Sequence, residues 1–249
     1  MNHTSGQDEQ REPWLQSAPA RCSRCAVRNL CLPIGTSVDD ADRLEGILGC
    51  VRRVARDEVL FRRGQPFCTL YAVRCGHLKT SRPDHRGHPY VAAFHMAGDL
   101  MGMDAICTGR HACTAVALED SEVCEISYAR LQMALQDMPG LMQYFHCAMS
   151  REIVREQGAL MHANGQAAER LACFLLSLSA RYAQRGFSSR RFRLRMSRAD
   201  MGDHLGLTIE CVSRQLARFR DEGWISIDKR DVELIDIRRL EALTMAPEA

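Results

Sequence analysis

The stretch SRADMGDHLGLTIECVSRQLARFRDEG, residues 197–223, decides how this chain is read. Ser197 is a helix-capping residue type, the residues 198–205 suit one short helix, and Gly206 can end it. Thr208 can cap a second helix running to Glu222, with Gly223 as its stop. Two helices around a tight, glycine-containing turn make a helix-turn-helix pattern. In the second helix Ile209, Val212, Leu216 and Phe219 recur at helical spacing, so all four are expected to face a core. The opposite face presents Glu210, Ser213, Arg214 and Arg218. Those side chains can read base edges: glutamate accepts from cytosine N4, arginine forks onto guanine O6 and N7, and serine adapts. A plain helical hairpin with a solvated charged face would show the same spacing, so the flanking sequence has to discriminate.

Downstream, Trp224 to Ile227 and Val232 to Ile235 flank a turn at Asp228 to Asp231, a small hairpin or wing behind the second helix. Residues 181–230 hold 12 basic against 6 acidic side chains, leaving 21 basic and 25 acidic in the rest of the chain. A basic segment on an otherwise slightly acidic chain points to a polyanion at that end. Wing and charge together favour double-stranded DNA.

Upstream, 128–136 reads as a short helix, and Pro139 suits the first position of a long one ending near Asn164-Gly165. In it Met142, His146, Met149, Ile153, Glu156 and Leu160 alternate steps of four and three, a heptad seam. A helix lying on its own domain can carry a similar stripe. Helix-turn-helix proteins usually bind as two-fold dimers, which gives the seam a partner in a homodimer. A further helix, about 166–184, carries Leu171, Phe174, Leu175 and Leu178 on one face. Before all of these, 37–127 shows short apolar runs, with Leu70 to Val73 and Tyr90 to Phe94 as strands. Turns fall at Gly64 to Pro66, Cys75-Gly76, Pro83 to Gly87 and Ala97 to Asp99, the signature of an antiparallel barrel or roll. The fold class expected is α+β. No run approaches about 18 apolar residues and the first ten are polar, so a cytoplasmic protein without a membrane span is expected.

Twelve cysteines in such a chain point to metal, cluster or redox chemistry, the remainder packing as small hydrophobes. Cys22, Cys25 and Cys31 lie in a C-x2-C-x5-C run, three soft ligands from one loop and one short of the usual four. Spacing alone leaves an iron–sulfur cluster, zinc and a redox dithiol open. Zinc usually takes paired knuckles, and no second C-x2-C exists. A redox pair normally follows a strand, whereas this one follows a polar leader. No His–Cys–Asp constellation or glycine-rich phosphate loop supports an enzyme.

Four stretches together resemble FNR, the oxygen-sensing branch of the CRP/FNR family: Cys22 to Cys31, Phe94 to Leu100, Glu122 to Ile126, and Phe192 to Arg218. The resemblance spans nearly everything after residue 20. It implies a cyclic-nucleotide-binding-like β-roll, a long dimerisation helix and a C-terminal winged helix-turn-helix. The corresponding segments are a disordered leader at 1–20, a cluster loop at 21–35, the roll at 36–127, the dimerisation region at 128–164 and the DNA-binding domain at 165–249. It further implies a [4Fe–4S] cluster on Cys22, Cys25, Cys31 and Cys124, with Leu30 as an apolar shield. The Glu210-x-x-Ser213-Arg214 pattern resembles the set that reads TTGAT half-sites. Contacts to RNA polymerase are implied for loops at 82–88 and 119–122, although His88 and Asp120 depart from the family pattern. An acidic residue at the position of Glu156 is implied to keep cluster-free protein monomeric. The function implied is an oxygen-responsive regulator, mainly an activator, of anaerobic gene expression. The alternative is a regulator of the same fold gated by a cyclic nucleotide or nitric oxide without such a cluster. Cyclic-nucleotide binders carry Gly-Glu and Arg-Ser pairs; here those positions read Gly98-Asp99 and Cys113-Thr114, with Arg110 nearby but lacking an adjacent hydroxyl.

Overall fold

The structure, a computed structural model, describes residues 18–19, 25, 47–83, 87, 89–161 and 165–244. The described residues up to Ser127 include the strands β1 (Ala18–Pro19), β2 (Leu48–Val54), β3 (Val59–Phe61), β4 (Thr69–Cys75), β5 (His77–Pro83), β6 (Pro89–Met96), β7 (Leu100–Met101), β8 (Thr114–Ala117) and β9 (Ser121–Ser127). They form two antiparallel sheets, ordered β1-β2-β9-β4-β7 and β3-β8-β5-β6. The core between them gathers Phe61, Val73, Leu78, Met101, Ala115 and Val123, all nearly inaccessible. This is the expected roll. One detail departs from expectation: Ala18 and Pro19 pair with Val51 and Cys50, so the end of the expected disordered leader is a strand. The open edge of β2 supplies the unpaired backbone groups that hold it there.

Helices follow where the period changes. The short α1 (Tyr128–Asp137) and long α2 (Pro139–Met161) pack Leu131, Leu135, Leu141 and Phe145 onto Val51, Leu70, Cys124 and Ile126 of the first sheet. Then come α3 (Ala167–Gln184), β10 (Arg191–Arg193), α4 (Arg198–Leu205), α5 (Ile209–Asp221), the hairpin β11 (Ile225–Asp228) and β12 (Asp231–Leu234), and α6 (Ile237–Thr244). Strand β10 completes a three-stranded wing sheet ordered β10-β12-β11. The core of this unit, including Leu171, Leu175, Val212, Leu216, Phe219 and Leu234, continues onto Val91, Phe94 and Met96 of β6. The C-terminal unit is thus seated on the roll through shared apolar burial.

Candidate nucleic-acid interface and thiol site

The two helices of the reading motif are fixed by their caps. Ser197 and Asp200 form a reciprocal capping box at the start of α4, worth about 1 kcal/mol by the usual cost of losing such a cap. Gly206 ends α4 in the left-handed region at φ 63°. A Cβ on Gly202 would sit 2.6 Å from the Leu207 carbonyl oxygen, so only glycine lets the turn fold this closely over α4. The Thr208 hydroxyl accepts from the Cys211 backbone N–H at 3.2 Å and starts α5.

Val212, Leu216 and Phe219 are buried, as their spacing requires. Ile209 is not: it is 49% exposed. As the first helical residue it precedes the turn that meets the core, and this corrects the four-residue stripe. On the other side Glu210 and Arg214 are exposed and Ser213 is half-buried. The Glu210 carboxyl is held below its usual range by its own backbone N–H first and by the Thr208 hydroxyl second, so it is an acceptor. Arg218 is exposed but committed, with Nε 2.8 Å from Glu222 Oε1 and its guanidinium 5.9 Å from the Trp224 ring centre.

Of the expected cluster residues, Cys22, Cys31 and Leu30 lie outside the described residues. Cys25 and Cys124 are described, both as free thiols. Cys124 is buried, between its ladder neighbours Val51 and Ala72 on either side. Burial first, and the proximity of Cys25 second, push its thiol up to about 11. The two thiols thus interact electrostatically. Cys50 also acts on Cys124, although its own thiol donates to Glu125 Oε2 at 3.4 Å. Among the described residues no group of three or more metal-binding side chains converges. The donor chemistry of the described pair fits a soft centre, and binding one would have to displace the Cys124 proton.

Along α2, Met142 and Met149 are half-buried against the roll's core, while His146, Ile153 and Glu156 are exposed. The Leu160 side chain lies outside the described residues. Ile153 at 57% and the neighbouring Val154 at 63% exposure leave an apolar strip on the helix.

The groups expected to matter for a cyclic nucleotide are engaged within the chain. Asp99 receives Arg181 and Arg185 at 2.6 and 2.5 Å, Cys113 donates to Asp104 Oδ2 at 3.1 Å, and Arg110 donates to the Gly64 carbonyl at 2.8 Å. A cavity of about 580 Å³ lies outside the roll, between β5–β6, α2 and α3, and Cys113 and Thr114 do not line it. In the 119–122 loop Glu119 is bound by His77 and Arg195, both at 2.6 Å, so part of that loop faces the DNA-binding unit.

Roll, long helix and winged reading motif define a DNA-binding transcription regulator of the two-domain type. Residues 51–138 match the cyclic nucleotide-binding domain, and 169–243 match the Crp-like helix-turn-helix domain. The chain is similar to the transcriptional regulatory protein btr of Bordetella pertussis, 41% identical over 235 residues that cover 94% of this chain and 97% of that one. It is 41% identical over 207 residues to the fumarate and nitrate reduction regulatory protein of Escherichia coli, covering 83% of each. The solved structure of FixK2 from Bradyrhizobium japonicum superposes with a TM-score of 0.72 at 26% identity, over 81% of this chain and all of that one. The protein belongs to the CRP/FNR family of transcription regulators, and within it to the FNR type.

Proposed function

We propose that this protein is an oxygen-responsive regulator, mainly an activator, of anaerobic gene expression. Cys22, Cys25, Cys31 and Cys124 would hold a [4Fe–4S] cluster, with Leu30 shielding the third ligand. The observation that carries this reading is the C-x2-C-x5-C run of Cys22, Cys25 and Cys31 in a chain whose Cys124 is a buried free thiol on β9. The names of the relatives that match almost the whole chain support it. When bound, the cluster supplies oxygen-labile iron–sulfide chemistry. As the fourth ligand, Cys124 would place the cluster on β9, whose end leads directly into α1 and then α2.

The seam residues Met142, His146, Met149, Ile153, Glu156 and Leu160 would pair two copies of α2. Glu156 meets its own copy there, and two facing carboxylates resist pairing through like charge and desolvation. Loss of the dimer lowers DNA affinity because one half-site offers too little contact. Glu210, Ser213, Arg214 and Arg218 would read TTGAT-like inverted repeats, and loops of the roll would meet RNA polymerase. A cyclic-nucleotide-gated regulator of this fold is the second reading, favoured by the match over 51–138 but opposed by the engagement of Asp99, Arg110 and Cys113 within the chain. Titration of a TTGAT-like palindrome with anaerobically purified protein, before and after air, tests the proposal. Tight binding lost in air supports it; binding unchanged by air and raised by cyclic AMP would favour the second reading.

A further inference from the structure

Asp99 stands where three parts of the molecule meet. Its carboxylate takes Arg181 of α3 on one oxygen at 2.6 Å and Arg185, the C-cap of that helix, on the other at 2.5 Å, both in the DNA-binding unit. Arg155 of the dimerisation helix α2 approaches to 4.0 Å while also binding Glu152. The two arginines are further anchored on the roll. Arg181 donates to the Phe94 carbonyl at 2.9 Å and Arg185 to the Ala97 carbonyl at 2.6 Å. The Asp99 side chain is only 15% exposed, and those of Arg181 and Arg185 14% and 8%. A charge pair so enclosed has little freedom to rearrange and strong directional demands.

The backbone beneath Asp99 is equally fixed. Gly98 donates to the Val73 carbonyl at 2.8 Å, and Val73 donates to that of Asp99 at 2.9 Å. Val73 lies on β4, whose preceding residue Ala72 is the register partner of Cys124. Strand β4 therefore holds both the ladder partner of Cys124 and the residue bonded to the Gly98–Asp99 turn.

We propose that Asp99 is a positioning residue that sets the separation of the two reading helices in the dimer, through its paired bonds to Arg181 and Arg185. This rests on the dimeric, DNA-reading function proposed above and adds a specific determinant of half-site spacing. Apolar burial of Val91, Phe94 and Met96 holds the DNA-binding unit to the roll without fixing its angle, because hydrophobic contact is not directional. Directional bonds do that: Lys79 with Asp200, Arg195 with Glu119 and His204 with the Val91 carbonyl hold one side, and the forked, enclosed pairs at Asp99 hold the other.

The test uses anaerobically purified full-length protein and duplexes with two TTGAT-like half-sites. In one set the half-sites lie about one helical turn apart, and in the other the spacer is lengthened by a single base pair or by about half a turn. Wild type should bind the lengthened duplexes at least about 10-fold more weakly, since both half-sites cannot be engaged together. Asp99→Asn keeps the side-chain shape and an acceptor for the Met96 N–H but removes the charge. It should remain dimeric by sedimentation and still discriminate TTGAT from a mutated half-site, while its spacing penalty falls to about 2-fold. Arg185→Gln leaves the Asp99–Arg181 bond in place and is the milder probe should Asp99→Asn fail to fold; it should lower the penalty in the same direction. A folded variant that keeps the full wild-type penalty would overturn the inference. Failure of wild type to prefer the palindrome at all would instead overturn the proposed function.

Discussion

Arg218 Nε lies 2.8 Å from Glu222 Oε1, whereas Arg214, one turn earlier on the same exposed face, has no carboxylate partner among the described residues. Exposed pairs are worth little, about 0.3–0.5 kcal/mol at this helical spacing, so Glu222 does not lock Arg218 away from DNA. It does make Arg218 the less available reader. Arg214→Ala should cost about 1–3 kcal/mol on a TTGAT-like site and relax discrimination at the guanine. Arg218→Ala should cost less on the same site, because Glu222 shares its guanidinium. Competition binding at fixed salt distinguishes the two, and equal weakening by Arg214→Ala on specific and random DNA would make Arg214 a phosphate contact.

Replacement of Cys22, Cys25, Cys31 or Cys124 singly by serine should abolish iron incorporation and anaerobic DNA binding. Replacement of Cys50, Cys68 or Cys173 should leave both largely intact. Cys50 is the demanding control, because it neighbours Cys124 yet spends its thiol on Glu125. Iron content of Cys124→Ser equal to wild type would remove the fourth-ligand assignment.

The reading motif was legible in the sequence because its determinants are local. Ser197, Gly206, Thr208 and Gly223 each act on the backbone within one helical turn, and α4 forms over the expected residues Arg198–Leu205. Strand order in the roll was not legible, since pairing Cys124 with both Val51 and Ala72 is decided by contacts distant in sequence. Nor was the Asp99 cluster: Arg181 lies 82 residues from Asp99, and nothing near either one announces the other. Ile209 obeyed the helical period but sat at the helix start, where periodicity does not guarantee a neighbour to pack against. The three-residue β10 exists only because β12 offers it an edge, and so left no local pattern.

Glu156 is exposed on α2, close to the apolar strip of Ile153 and Val154. Glu156→Ala should yield a dimer that survives air and binds DNA aerobically. Sedimentation of wild type and variant with and without oxygen checks this. A variant that dissociates in air as wild type does would take Glu156 out of the switch.

His95 is buried within β6, with Nε2 3.1 Å from Thr80 Oγ1 and Nδ1 without a hydrogen-bond partner among the described residues. Burial, reinforced by Arg155 and Arg181, lowers its pKa to about 3, partly countered by Asp99. The folded protein thus carries His95 neutral while the unfolded chain takes up a proton below about pH 6.5. Stability from this group is fully present above that pH and is lost as pH falls toward about 3. Between pH 7 and 5 the loss should be about 2 kcal/mol. His77, His111 and His204, also lowered chiefly by burial, add to it with the same sign. Urea titrations of wild type and His95→Gln should show a shallower slope in the variant, and identical slopes would exclude His95 as a source.

Iron and acid-labile sulfide analysis of the anaerobically purified protein, read together with its absorption spectrum before and after air, tests the oxygen-sensing account most directly. The account predicts iron and sulfide in equal amounts, a sulfide-to-iron charge-transfer band that bleaches in air, and loss of DNA binding over the same interval. Zinc without iron, or an air-stable centre with DNA binding unchanged, would contradict it.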